Sequence, residues 1–137
     1  MPMIIDSIDR IARIKQRAVL YVTFAPLNDD GYFADEGFDW ENCETRKRVI
    51  DWLELNNISY QFCQRFWADG LLDYPYQGQI YLDVPFYREN AGYKKLENYF
   101  ENPDGSMKDK TIRFCYIPLK AAMKNAHHDN PGYWDNC

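Results

Sequence analysis

The sequence predicts an α+β domain: one four-stranded antiparallel sheet, a helix in each of its two crossovers and a short helix at either end. Three observations carry this prediction. Segments of helical periodicity alternate with short runs rich in β-formers, and clusters of Pro, Gly, Asn and Asp separate them. A length of 137 residues, without internal repeat, low-complexity tract or Gly/Ser linker, suits a single domain over 1–137. A composition of 46% hydrophobic and 17% aromatic residues lies far from the polar, highly charged corner in which chains stay disordered.

The first helix is expected over 4–16, where Ile4, Ile8, Ile11 and Ile14 recur at helical spacing. A strand follows over 18–24, and apolar residues on both of its faces place it inside a sheet rather than at its edge. Residues 26–39 read as a long loop. The second helix starts near Trp40 or Glu41, with Asp39 as its cap and acids in its first turn, and ends at Asn56-Asn57. Its apolar face is Val49, Ile50, Trp52 and Leu53, and Arg46, Lys47 and Arg48 sit mid-helix. Residues 58–67 and 79–86 read as two strands that pair as an antiparallel hairpin. A third helix over 91–101 stops at Asn102-Pro103-Asp104-Gly105, and 111–117 is the last strand. Pro118 opens a short helix through Ala126, and 127–137 is a polar tail. Without the terminal helices the order is β-α-β-β-α-β. Two right-handed crossovers around a hairpin give the ferredoxin-like arrangement, with its helices on one face. That scaffold hosts many unrelated activities, so function has to be read from side chains.

The net charge of −5 and a pI near 5.0 oppose direct binding to nucleic acid or to an anionic membrane, both of which recruit clustered Lys and Arg. No run approaches the ~20 apolar residues of a membrane span, and Met1-Pro2-Met3-Ile4-Ile5-Asp6 lacks the basic start and apolar stretch of a secretory signal, so a cytoplasmic location is expected. Cys43, Cys63, Cys115 and Cys137 are widely spaced and match no zinc pattern, and reduced, structural thiols are expected. Phosphate-binding glycine loops and a hydrolase elbow are absent from the sequence. An EF-hand aligned on Gly31 would put Pro26 first and Gly37 last, where carboxylates are required. His127, His128 and Cys137 offer donors without the second ligand pair of a zinc finger. No cofactor and no metal are expected. Tyr21 and Tyr81 sit where an RNA-recognition module carries stacking rings, but Gln77-Gly78-Gln79-Ile80-Tyr81 lacks the basic and aromatic lead of its signature.

One constellation stands out. Between Asn28 and Glu44 there are seven acids, Asp29, Asp30, Asp35, Glu36, Asp39, Glu41 and Glu44, and no Lys or Arg. Their −7 exceeds the whole-chain −5, so the remainder carries +2. Tyr32, Phe33, Phe38 and Trp40 are interleaved. A plain explanation is a set of helix-capping acids on a solvated loop. The sharper one is a recognition face, in which rings supply rigid contact area while carboxylates steer a basic partner. On that reading the chain is a small cytoplasmic protein-binding domain, a stoichiometric inhibitor of a basic, nucleic-acid-handling protein. In charge and size it is similar to immunity proteins against nuclease toxins and to phage-encoded counter-defence factors. Asp29, Asp30, Tyr32, Phe33, Asp35, Glu36, Asp39 and Trp40 form the contact face, extended by Tyr74 and Tyr76, and none is catalytic. The alternative is a small enzyme or ligand-binding domain, metal-dependent in one form, with a pocket between sheet and loops. It would draw on Asp83, Arg65, His127 and His128.

Overall fold

In the computed structural model, which describes residues 6–24, 39–64 and 76–132, helical and β-rich segments fall close to where their periodicity puts them. Helix α1 spans Ile8–Lys15 and strand β1 Val19–Phe24. A 3-10 turn at Trp40–Asn42 leads into α2, Glu44–Leu55. The short strands β2 (Tyr60–Phe62) and β3 (Ile80–Leu82) are followed by α3, Ala91–Phe100. Strand β4 (Ile112–Ile117), α4 (Leu119–Met123) and a 3-10 turn at Ala126–Asp129 complete the order. No helix among the described residues is long and apolar enough to cross a membrane.

The four strands form one antiparallel sheet in the order β2-β3-β1-β4. Strand β1 lies inside it, as its two apolar faces predict, with Leu20 opposite Leu82 of β3 and opposite Tyr116 of β4. Pleating sends alternate side chains to opposite faces. Leu20, Val22, Phe24, Ile80, Leu82 and Ile112 share one face and pack against Val49 and Leu53 of α2 and against Tyr93, Leu96 and Phe100 of α3. Val19, Tyr81 and Ile117 share the other, with Ile8, Ile11 and Ala12 of α1 and Ala122 of α4 upon them.

Helices therefore cover both faces, which corrects the expectation of helices on one face alone. The cause lies in β3 as much as in β1. Ile80, Tyr81 and Leu82 are all buried, so the face bearing Tyr81 cannot be left to water, and the terminal helices close it. Tyr81 is only 1% exposed, so the ring that an RNA platform would present is inside the protein.

The second helix also starts later than expected. Asp39 does not cap it: its carboxylate accepts from Asn42 Nδ2 (2.7 Å), and the cap is Cys43, whose sulfur accepts from the Arg46 N–H (3.4 Å). Strands β2 and β3 are shorter than the runs that suggested them. Beyond Leu82 the Val84 N–H folds back to Leu82 O (2.9 Å), which ends the ladder ahead of Pro85.

The start of the tail is ordered by a buried charge. Arg13, with 5% of its side chain exposed, donates through Nη1 to Asp9 Oδ2 (2.8 Å) and to the Ala122 carbonyl (3.2 Å). Its Nε and Nη2 form a fork onto Asp129, at 2.7 and 2.9 Å. Asn125 Nδ2 donates to the same Asp9 oxygen at 3.0 Å. One guanidinium thus binds α1 to α4 and to the last turn. The residues read as a polar tail include a buried one, His128.

Two outcomes follow from this clamp. Arg13→Ala strands the fully buried Asp9 carboxylate and is expected to lower the unfolding free energy by about 3–5 kcal/mol. Arg48→Ala, which breaks the exposed pair with Asp109 (3.0 Å), should cost no more than about 1 kcal/mol; urea denaturation of both variants measures the difference. The Arg13 guanidinium holds the Asp129 carboxyl below its ordinary range, against burial, which pushes it up. The stabilisation is therefore complete above about pH 5, a unit above the unfolded carboxyl's value of about 3.9, and is lost as pH falls through the lower folded value. Melting temperature followed from pH 6 downwards should fall less in Asp129→Asn than in the parent, because the variant has already lost this contribution.

Candidate functional site

Arg46 lies in the first turn of α2 at the same helical phase as Val49 and Leu53, so its side chain turns inward. At the end of the sheet where β2 finishes and β3 begins it enters a cage of rings. Its Cζ is 4.8 Å from the Trp40 ring centroid and 4.8 Å from that of Phe62. Nε donates to Gly78 O (3.0 Å) and Nη2 to the Tyr76 hydroxyl (2.8 Å). Tyr76 meets Trp40 edge-on at 4.8 Å and lies 6.2 Å from Phe62. Burial raises the Tyr76 phenol, and the charge of Arg46 opposes the shift. A desolvated cation over an aromatic face gains about 2 kcal/mol or more, so two faces and two oxygens can hold this guanidinium inside the protein.

Gly78 makes the cage possible. It adopts φ +92°, and a Cβ there would lie 2.8 Å from Trp40 Cβ and 3.0 Å from Arg46 Nε. Only a residue without a side chain admits both the left-handed backbone and the close approach.

The chain near the buried cation carries exposed charges of both signs, with Lys47 and Arg48 on α2 and three acids ahead of them. Asp39, Glu41 and Glu44 are all exposed, and Trp40 and Tyr76 are half-buried. Of the residues the sequence nominates for partner contact, the structure brings together Asp39, Trp40 and Tyr76. Asp29, Asp30, Tyr32, Phe33, Asp35, Glu36 and Tyr74 lie outside the described residues. Arg46, Phe62 and Gly78 were not nominated. In the sequence Arg46 stands out only as part of a basic run within the helix, yet its spacing of three and seven residues from Val49 and Leu53 was a visible sign that it faces inward.

The residues of the enzyme reading stand elsewhere and are engaged. Asp83 accepts from Arg17 Nη2 (2.7 Å) and from the Tyr81 hydroxyl (2.8 Å), with Lys15 Nζ at 3.7 Å. His127 and His128 belong to the last 3-10 turn, next to Asp129, which binds Arg13. Burial pushes the Cys63 thiol up to about 12, so it keeps its proton at neutral pH and is a poor nucleophile. Arg65 and Cys137 lie outside the described residues. Among the described residues, no three His, Cys, Asp or Glu side chains are grouped to hold a metal. A groove of about 740 Å³ runs along α3, lined by Phe86, Tyr93, Glu97, Glu101 and Lys108 among others, and holds none of Asp83, His127 and His128.

The cage can be tested through its glycine. Gly105 has a similar φ of +89°, but a Cβ there would meet nothing within 4 Å, so Gly105→Ala incurs backbone strain alone. Gly78→Ala should incur the same strain, about 1–3 kcal/mol, and additionally displace Trp40 or Arg46; denaturation should show it to be the less stable of the two. Compared with known protein families, curated proteins and solved structures, the chain matches none.

Proposed function

We propose that this chain is a protein-binding domain that inhibits a basic, nucleic-acid-handling protein stoichiometrically, in the manner of an immunity or phage counter-defence protein, and that it acts in the cytoplasm. The observation that carries the reading is the arrangement at the start of α2. The positive charge of Arg46 is enclosed between Trp40 and Phe62, while Asp39, Glu41 and Glu44, which stand close to Trp40 in sequence, are exposed. A rigid aromatic base with an acidic rim suits a cationic protein surface, because ring contact gives residence and the carboxylates give rate and register. The acids and rings upstream in the sequence, Asp29, Asp30, Tyr32, Phe33, Asp35 and Glu36, complete the contact face in this reading and join the site at Asp39 and Trp40.

The scaffold is read as ferredoxin-like. Its support is the antiparallel order β2-β3-β1-β4, with a helix following β1 and another following β3. Helices α1 and α4 are additions that close the second face.

Affinity capture with the intact chain is expected to retain a basic protein at low salt and to release it at about 0.5 M salt, where the Debye length falls to a few ångströms. Charge reversal of Asp39, Glu41 and Glu44 to Lys, and separately of Asp35 and Glu36, should slow association about tenfold or more without altering the circular-dichroism melt. Capture that yields no basic protein, or reversed variants that associate at the parental rate, would remove the basis for the inhibitor reading.

A further inference from the structure

We propose that the outer edge of β2 is a strand-addition site for an extended, Lys- or Arg-bearing segment of a partner protein. Strand β2 is an outer strand of the sheet. In its ladder with β3 the Cys63 N–H donates to Gln79 O (3.2 Å) and the Asp83 N–H to Ser59 O (2.9 Å). Hydrogen-bonded pairs alternate along an antiparallel ladder, so residues 59, 61 and 63 direct their backbone groups at β3. Tyr60 and Phe62 then direct theirs away from the sheet. Two residues on, the same edge is already in use: the Gln64 N–H donates to Asp6 O (2.9 Å) and the Ile8 N–H to Gln64 O (3.1 Å), a parallel bridge between Ser7 and Gln64. At Gln64 the edge is thus paired by an isolated bridge to the chain's own segment ahead of α1, while at Tyr60 and Phe62 its backbone has no partner among the described residues.

The side chains beside this edge select the occupant. Phe62 is 39% exposed, and its ring lies 6.1 Å from that of Tyr60. The Tyr60 hydroxyl donates to Glu54 Oε1 (2.8 Å), and Asp51 and Glu54 are exposed on α2. The hydrogen bond to Glu54 raises the Tyr60 phenol most, followed by burial and by the charge of Glu54; Arg46 opposes the shift, and Asp51 adds a small further rise. Two carboxylates, Glu54 and Asp51, thus act on the Tyr60 ring, against the single nearby charge of Arg46, which is held over Trp40 and Phe62. Lys47 is an exposed cation on the same helix and offsets part of the field. A strand laid along Tyr60 and Phe62 would gain main-chain hydrogen bonds, and its alternate side chains on the ring side would meet two rings and two carboxylates. Lys and Arg, with apolar stems and cationic ends, suit both. This inference rests on the proposed function only for the charge of the partner.

The test uses the full chain and two peptides, one alternating Lys and Val and one alternating Glu and Val, with amide exchange followed by NMR. In the free protein the Tyr60 and Phe62 amides should exchange freely while those of Gln61 and Cys63 are protected. The Lys–Val peptide should slow exchange at Tyr60 and Phe62, and the Glu–Val peptide should not. Phe62→Pro removes one outward N–H and no ladder bond, together with the ring over Arg46, and should weaken Lys–Val binding about tenfold or more, the loss of at least one good contact, whereas Phe62→Leu, which keeps the N–H, should lose less. Asp51→Lys with Glu54→Lys should do the same, and decides the matter should the proline variant fail to fold. Tyr60 and Phe62 amides already protected in the free protein would mean that the chain itself covers the edge, and the proposal would fall. It would fall equally if the Glu–Val peptide bound as well, or if protection appeared elsewhere or nowhere. If a basic protein is captured but the edge gains no protection, only this inference is lost; if the edge is protected by the peptide but no basic protein is captured, only the inhibitor reading is.

Discussion

Strand β1 carries apolar side chains on both of its faces, and the rest of the molecule is arranged around that fact. An inner strand of this kind must be covered twice, since a face bearing Val19, Tyr21 and the neighbouring Tyr81 and Ile117 is no more tolerant of water than the face bearing Leu20, Val22 and Phe24. Helices α2 and α3, which lie in the two crossovers, supply one cover. The second comes from the two ends of the chain, α1 and α4, which are remote in sequence and have to be held together. Once both faces are closed, contact with other molecules is left to the edges of the sheet, its ends and the outer surfaces of the helices.

Two arginines are buried in meeting these demands, and they are accommodated by different chemistry. Arg13 is matched by carboxylates, one wholly buried and one part-exposed, so its charge is balanced where it lies. Removing a charge from water is costly, and a forked ion pair with further hydrogen bonds offsets the cost. Arg46 is met instead by two ring faces, a phenol and a carbonyl. Its charge is sheltered rather than cancelled by a neighbouring ion. The difference reaches the surface. Around α1 and α4 opposite charges are joined, whereas around the start of α2 the cation is covered and the carboxylates stand outside.

Most of the fold was legible in the sequence because the signals for it are local. Helical phase located α1, α2 and α3 to within a few residues, and β-formers between turn residues located all four strands. The departures share a cause. Asp39 has the chemistry of a cap but lost the position to Cys43, because the chain first makes a 3-10 turn that brings Trp40 over Arg46. Strands β2 and β3 read as longer than they are, since β-propensity does not register where a partner stops pairing. The two histidines looked like part of a polar tail, yet His128 is buried beside the pair that Asp129 makes with Arg13, which no window of neighbouring residues could reveal. The candidate site was half legible. An excess of acids among rings is visible in composition, and it pointed to Asp39 and Trp40. The cage that orders them was not, as Phe62 and Tyr76 come from segments 22 and 36 residues beyond Trp40 and Gly78 matters only because two side chains approach it.

By itself the sequence determined the class of fold, the order of elements and the inner place of β1, because each follows from the period of side chains along a single segment. Only the tertiary structure decided which helices cover which face, which arginine is paired and which is caged, and which strand edge has no partner among the described residues. Those outcomes depend on groups as far apart as Arg13 and Asp129, 116 residues distant, meeting in the same small part of the interior, and no local pattern encodes which of them arrives.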